Sequence, residues 1–379
     1  MQRRKFGFHD FEVSALGFGC MRLPVIDDQP DKIDEEKTAE MIYYAVDNGV
    51  DYVDTAYSYH REQCEVVLGR ILKGGYRDRV KLATKCPTWL IENPEAFDKY
   101  LDIQLSRLQT DRIDMYLMHT LNKDRWNNIL KNDVFSFMER AKQDGRIRYA
   151  GFSFHDDVDT FKTIVDAYDW DFCQIQYNYM DEEFQAGTEG LKYAAAKNLA
   201  VVIMEPLRGG RLVKNIPAEV QEIMDRSGKV RTPADWALRW IWNHPEVTVV
   251  LSGMGKLSEV KQNIETARTA LPNSLTQEEL DLFEEIKASY RKRIKVDCTA
   301  CEYCLPCPQE IVIPELFDYY NDAYMYNTLD SFATRYDWIA ENWGNPENCV
   351  ECGECEAACP QNLPIREHLK QIRSAAGRK

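Results

Sequence analysis

Twelve cysteines stand in the 379-residue chain, and eight of them fall in two runs near its end, "CTACEYCLPCP" at 298–308 and "CVECGECEAACP" at 349–360. Thiolates at three-residue steps, closed by a proline, wrap the corners of an iron-sulfur cubane, and a distant cysteine supplies the last ligand. The second run follows the C-x2-C-x2-C-x3-C-P pattern in full, and the first is one residue short in its last interval. The spacing assigns Cys298, Cys301, Cys304 and Cys359 to one [4Fe-4S] cluster and Cys349, Cys352, Cys355 and Cys307 to another. Zinc is the competing reading, because two C-x2-C pairs make an all-cysteine tetrahedral site, but four consecutive cysteines at this step favour the clusters. Cys20, Cys64, Cys86 and Cys173 are irregularly spaced and read as buried free thiols.

A second constellation lies earlier in the chain. Asp54, Lys85 and His119 each end a β-branched run, and Tyr59 follows Asp54 in the next loop. Charged groups at such points are costly unless paired. A tyrosine with its ordinary pKa of about 10 donates a proton poorly at neutral pH; a lysine ammonium beside it lowers that value, and a carboxylate keeps the lysine charged. Tyr59 then reads as a general acid, and His119 as the group that orients a substrate oxygen while hydride reaches a carbonyl carbon. Each residue alone reads as a cap, an ion pair or core, whereas the four in this order read as a site.

The elements that must hold these residues are strands. Eight short runs, Ser14–Phe18, 50–54, 80–85, 113–119, 147–153, 172–178, 200–206 and 247–253, alternate with helical patterns such as Met41, Ile42, Ala45 and Val46. Strict alternation means parallel pairing, and eight repeats in some 250 residues predict a closed (β/α)8 TIM barrel, whose chemistry sits at the C-terminal ends of its strands. An open doubly wound sheet is the runner-up, yet no G-x-G-x-x-G follows any strand. Residues 274–293 predict a helix capped by Thr276 with Glu279. The division is thus a barrel over 1–293 and a small, mainly helical two-cluster domain over 294–379.

A net charge of −15, with no long basic run, disfavours nucleic acid and anionic membranes as partners. No run of about 18 apolar residues and no signal-like start is present, so neither a membrane span nor export is expected, and the cytoplasm is the expected location.

"LGFGCMRLP" (16–24), "DTAYSY" (54–59) with Glu62 and "LG" at 68–69, "LATK" and "YLMH" follow one another in this order. Together they resemble the aldo-keto reductase family over about residues 8–290, and the aromatic spacer between the cysteine runs is similar to α-helical ferredoxin domains, which a class of that family carries as a tail. The resemblance implies a catalytic tetrad of Asp54, Tyr59, Lys85 and His119, with NAD(H) or NADP(H) as hydride carrier. It places Ser153, His155 and Gln174 at the nicotinamide carboxamide, with Phe154 or His155 where the family has asparagine and Met204 where it has a stacking aromatic. It also places Pro206, Leu207 and Gly209 at the pyrophosphate, and Ser252, Gly253, Glu259 and Asn263 at the adenosine end. Glu259 stands where NADPH-specific members carry a cation, and a carboxylate repels the 2′-phosphate by ~1 kcal/mol, which favours NADH.

The expected activity is reduction of an aldehyde, ketone or sugar-like carbonyl, or oxidation of the alcohol; the alternative is a nucleotide-binding redox sensor or electron-transfer adaptor with little turnover. Nicotinamide moves two electrons and a cluster one, so coupling them needs a flavin or another splitter, and no flavin motif is visible. A redox protein is the expected macromolecular partner. Met21, Trp89, Leu121 and Trp126 follow barrel strands and are expected to line the substrate pocket.

Overall fold

Apolar and β-branched residues in the eight runs are buried almost without interruption, the pattern of strands covered on both faces. In the structure, a computed structural model that describes residues 1–378, they form β3 (Leu16–Gly19), β4 (Tyr52–Asp54), β5 (Lys81–Cys86), β6 (Ile113–Leu121), β7 (Ile147–Phe154), β8 (Phe172–Gln176), β9 (Ala200–Met204) and β10 (Val247–Ser252). Each pairs in parallel with the next, and β10 closes on β3 through Val250↔Leu16 and Ser252↔Phe18. The result is the closed (β/α)8 barrel expected from the alternation.

The strand expected at Ser14–Phe18 is two strands. A preceding hairpin, β1 (Arg3–Lys5) and β2 (Glu12–Ser14), takes Ser14, and the barrel strand starts at Leu16. The hairpin's Phe6 and Val13 pack among Tyr52, Phe172 and Ala200, the first residues of β4, β8 and β9, and so stopper the N-terminal end of the barrel. Gly7 makes the hairpin turn with φ 56°, and a Cβ there would stand 2.6 Å from the Asn198 carbonyl oxygen. With that end filled, the open face is the one formed by the strands' C-terminal ends.

Contacts gather the chain into two compact units: Met1–Gly209 with Arg231–Leu275, and Gly210–Val230 with the chain from Thr276 onward. The later segment of the second unit opens on the helix Gln277–Arg291, whose Thr276 and Glu279 form the expected capping box. This helix packs on the helix Ala218–Arg226 within the same unit, and Arg226 pairs with Glu285. Helices Ile313–Met325, Leu329–Trp343 and Ile365–Ala375 then surround a core of Leu316, Phe317, Tyr320, Phe332, Ile339 and Leu369. No described helix is long and apolar enough to cross a membrane.

Candidate active site and iron-sulfur centre

The C-terminal ends of β4, β5 and β6 bring the four predicted catalytic residues together. Asp54 ends β4 beside Ala83 of β5, and Lys85 lies one residue short of the end of β5 beside Leu117 of β6. Both side chains are buried, Lys85 completely. The Lys85 ammonium donates to Asp54 Oδ1 at 2.7 Å and Oδ2 at 2.8 Å, to the Thr55 carbonyl at 2.8 Å and to the Tyr59 hydroxyl at 3.4 Å. The His119 ring lies 6.3 Å from the Tyr59 ring and 5.3 Å from that of Trp89, and Thr88 Oγ1 pins the His119 carbonyl at 2.7 Å.

Burial dominates the electrostatics. It pushes the Tyr59 phenol up to about 12, against the pull of Lys85 and with Asp54 adding to the rise. The expectation that Lys85 makes Tyr59 more acidic than a free tyrosine is therefore corrected: the lysine acts in that direction, but desolvation of a phenolate is the larger effect. Burial would lower Lys85, and the Asp54 charge beside it holds it above its ordinary value. Burial raises Asp54 against Lys85, and drives His119 well below the ordinary imidazole range, with Lys85, His155 and Arg125 adding to the drop. His119 is neutral at pH 7.

A buried network behind Lys85 was missed at the sequence level. Glu65, fully buried, accepts from Thr84 Oγ1 at 2.6 Å and Gln104 Nε2 at 2.7 Å, and the same Gln104 nitrogen reaches the Lys85 carbonyl at 3.0 Å. Glu62 instead stands at the surface, 2.5 Å from Arg107. The signal was Glu65 within an otherwise apolar helical stretch, "CEVVLGRI", facing Gln104 at helical spacing from Leu101 and Leu108.

Ser153 and Gln174 are register partners on β7 and β8. Ser153 Oγ accepts from the Thr120 N–H at 2.7 Å, which leaves its own proton to donate, and Gln174 Oε1 is buried without a partner among the described residues. One free donor and one orphaned acceptor side by side fit a primary carboxamide, the polar group of nicotinamide. Gln174 Nε2 donates to the Met204 sulfur at 3.4 Å. His155 turns to Gln185. Pro206, Leu207 and Gly209 form the loop after β9, where Glu205, Arg208 and Gly209 all have positive φ. Asn263 donates to Ser252 Oγ at 3.0 Å, Gly253 is exposed, and Glu259 folds back to accept from the Gly255 N–H at 2.9 Å.

In the second unit, Cys298, Cys301, Cys304 and Cys359 surround one hollow, and Cys307, Cys349, Cys352 and Cys355 surround another, whose wall Cys304 shares. Among the described residues no three His, Cys, Asp or Glu side chains converge as they would on a single ion. The donors of each set are all thiols, the chemistry an iron-sulfur cluster requires.

Residues 15–288 match the Aldo/keto reductase family, and residues 297–363 match a 4Fe-4S dicluster domain. The chain belongs to the aldo/keto reductase family. It is 26% identical over 321 residues to "Probable aldo-keto reductase 1" of Glycine max, covering 76% of this chain and 89% of that protein. Over 309 residues it is 25% identical to "Uncharacterized oxidoreductase YqkF" of Bacillus subtilis, covering 74% and 94%. Among solved structures, the holo form of aldo-keto reductase AKR11C1 from Bacillus halodurans aligns at a TM-score of 0.63 with 27% identity, covering 76% of this chain and 96% of that one.

The protein is thus an aldo/keto reductase with an iron-sulfur domain, of a family that uses nicotinamide cofactors. Around the mouth of this reductase, the expected pocket liners divide. Met21 and Trp89 are exposed there, 54% and 40%, whereas Leu121 and Trp126 are core: Leu121 is fully buried in β6 and Trp126 packs on Phe135 and Trp170. Trp126 lies a helical turn beyond the strand end, on the inward face of the helix Lys123–Lys131, which explains the difference.

Proposed function

We propose that the chain reduces the carbonyl group of a small aldehyde or ketone, or oxidises the corresponding alcohol, with Tyr59 as proton donor. The hydrogen-bond chain Asp54, Lys85, Tyr59 carries this reading. Bound NAD(P)H supplies hydride to the carbonyl carbon. An ammonium has only donors, so the Tyr59 oxygen accepts from Lys85 and its own proton is directed elsewhere, toward a substrate oxygen. As that proton leaves, the nascent phenolate lies beside a cation that Asp54 keeps charged. His119, neutral, orients the carbonyl, while Ser153 and Gln174 hold the carboxamide of the cofactor. The eight cysteines, in the two sets of four described above, are assigned to two [4Fe-4S] clusters.

The reading is tested anaerobically on the purified brown protein. Carbonyl-dependent oxidation of NADH with unchanged cluster absorption is the expected result. Bleaching of the clusters by NADH, with no carbonyl reduced, would favour the adaptor reading and point to a flavin or redox-protein partner.

The raised Tyr59 pKa sets the pH dependence. Reduction needs the protonated phenol, which persists until pH approaches about 12, so kcat for reduction is expected to show no loss from Tyr59 between about pH 6 and 9. Alcohol oxidation needs the phenolate, whose fraction grows with each pH unit below that value, so its rate is expected to climb throughout the same range. A fall in reduction rate with an apparent pKa near neutrality would contradict the assignment.

NADH is the preferred donor in this proposal. Glu259 occupies the N-terminus of the helix Leu257–Thr269, where an anion is otherwise favoured, so a 2′-phosphate there meets a carboxylate. Glu259→Lys is expected to move the NADPH-to-NADH ratio of kcat/KM toward NADPH by about tenfold, a change of ~1.4 kcal/mol. An unchanged ratio would place the 2′ position elsewhere.

A further inference from the structure

The mouth of the barrel holds an arginine for which the tetrad has no use. Arg125 lies in the first turn of the helix that follows β6, six residues beyond His119. Its Nη1 donates to the Thr120 carbonyl at 2.9 Å and to Thr120 Oγ1, and its guanidinium carbon stands 5.6 Å from the centroid of the Trp89 ring. The same Trp89 ring lies 5.3 Å from that of His119, and the Arg125 charge helps to depress both His119 and His155. Loops after β5, β6 and β7 thus meet around one half-buried guanidinium beside the reacting centre.

Among the described residues that cation has no counterion. Acidic residues outnumber basic ones by 62 to 47, and in the same unit Arg77, Arg107, Arg140 and Arg146 each sit in an ion pair. Among the described residues no carboxylate pairs with Arg125, and its Nε and Nη2 have no acceptor. Asp156, which arrives from the loop after β7, accepts instead from the Lys123 and Asp157 backbone N–H groups, both at 2.8 Å. Lys85 is neutralised by Asp54, and Arg22 lies beside Gly209 and Gly253, in the strip of loops assigned to the cofactor. Nε and Nη2 of an arginine form the planar fork that matches a carboxylate with two parallel hydrogen bonds. Trp89 supplies the flat floor beneath the guanidinium and is itself 40% exposed.

We propose that Arg125 is a carboxylate-binding subsite and that the substrate is an oxo acid, a molecule with an acid group near the carbonyl that is reduced. The inference rests on the carbonyl-reductase reading above. In the reaction the carbonyl carbon gains hydride from the reduced nicotinamide, its oxygen gains the Tyr59 proton, and the carboxylate on Arg125 is unchanged. A neutral His119 and a compensated Lys85 leave Arg125 to recognise the acid.

The test uses the full-length protein with glyoxylate, para-carboxybenzaldehyde and the methyl ester of each, with NADH. For at least one pair, the acid is expected to exceed its ester in kcat/KM by about tenfold or more, chiefly through KM. Arg125→Leu is expected to collapse that ratio toward unity, and Arg125→Lys to restore part of it, because a point charge replaces a fork. Equal reduction of acid and ester by the wild type, or an Arg125→Leu variant that loses both in the same proportion, would overturn the proposal. If the wild type reduces neither, the reductase reading fails while the subsite is still decided by binding: para-carboxybenzyl alcohol is expected to quench tryptophan fluorescence of the NADH-loaded protein, and to do so in wild type but not in Arg125→Leu. Absence of that quenching in wild type, or its survival in the variant, would overturn the subsite.

Discussion

Tyr59→Phe is expected to lower carbonyl reduction by about 10²–10⁴-fold and to leave NADH binding as it is. The phenol is the hydroxyl that touches Lys85, and the other members of the constellation are poorly placed to replace it. His119 is held neutral by burial and so carries no extra proton to give at pH 7. Lys85 is committed to Asp54 and the Thr55 carbonyl, and losing its proton would leave Asp54 as an unpaired buried charge. The phenylalanine ring keeps the contact of the Lys85 ammonium with the ring face, now 4.9 Å from its centroid, so the variant loses one hydrogen bond, ~1 kcal/mol, and should fold. Lys85→Met is the weaker experiment, because stranding Asp54 costs ~3–5 kcal/mol and confuses inactivity with unfolding. Single-turnover reduction of a neutral aldehyde, alongside NADH titration by fluorescence, separates chemistry from binding. A Tyr59→Phe enzyme with more than a third of the wild-type rate would remove Tyr59 from the mechanism.

The strands were legible because parallel strands buried on both faces read as unbroken apolar runs, and because Asp54, Lys85 and His119 stand at or within two residues of their ends, where no apolar run explains them. The N-terminal hairpin was not legible: Arg3–Lys5 and Glu12–Ser14 are three residues each, largely charged, and are strands only because Phe6 and Val13 find the open end of the barrel. Directions of charge–charge interaction were also legible, since they follow from residue type, but the balance was not. Lys85 does pull on Tyr59; how much water the phenol loses is a property of the fold, and it decides the sign. Side chains on the helices after the strands were the least legible. Spacing placed Trp126 at the mouth, where the helix turns it into the core, and passed over Arg125, one residue earlier, which stands at the mouth. Glu65 differs from Glu62 in the sequence only by standing inside the apolar stretch "CEVVLGRI"; that it is buried on Thr84 and Gln104 while Glu62 stays at the surface is decided by the packing.

Removing the iron is expected to unfold the cysteine-bearing part of the second unit and leave the barrel standing. Between Cys298 and Ile313, and again from Cys349 to Gly353, the chain has no helix or strand to hold it. Ala300, Glu302 and Glu351, each standing between two cysteines of a run, have positive φ, a conformation that costs non-glycine residues about 1 kcal/mol or more and needs an outside restraint. The cysteines are the residues positioned to supply it. Six of them, all but Cys301 and Cys352, pack against the core that includes Leu316, Phe317, Tyr320 and Ile339, but all eight remain at least partly exposed, so apolar burial alone does not fix the loops. Ligation energy is then part of the folding energy of this segment. The intact protein should contain about eight iron and eight acid-labile sulfide per chain, which separates two cubanes from zinc, since zinc sites carry no sulfide. After anaerobic chelation, limited proteolysis should cut first within 298–312 and 349–353, and the calorimetric transition of the second unit should be lost, while NADH binding by the barrel is retained. The barrel has its own core and its own stopper in Phe6 and Val13, and no cysteine of either run belongs to that core. Chelated protein that kept both transitions and resisted cleavage at those loops would show that the second unit folds on its apolar core alone, and the clusters would then be free to serve electron transfer without a structural duty.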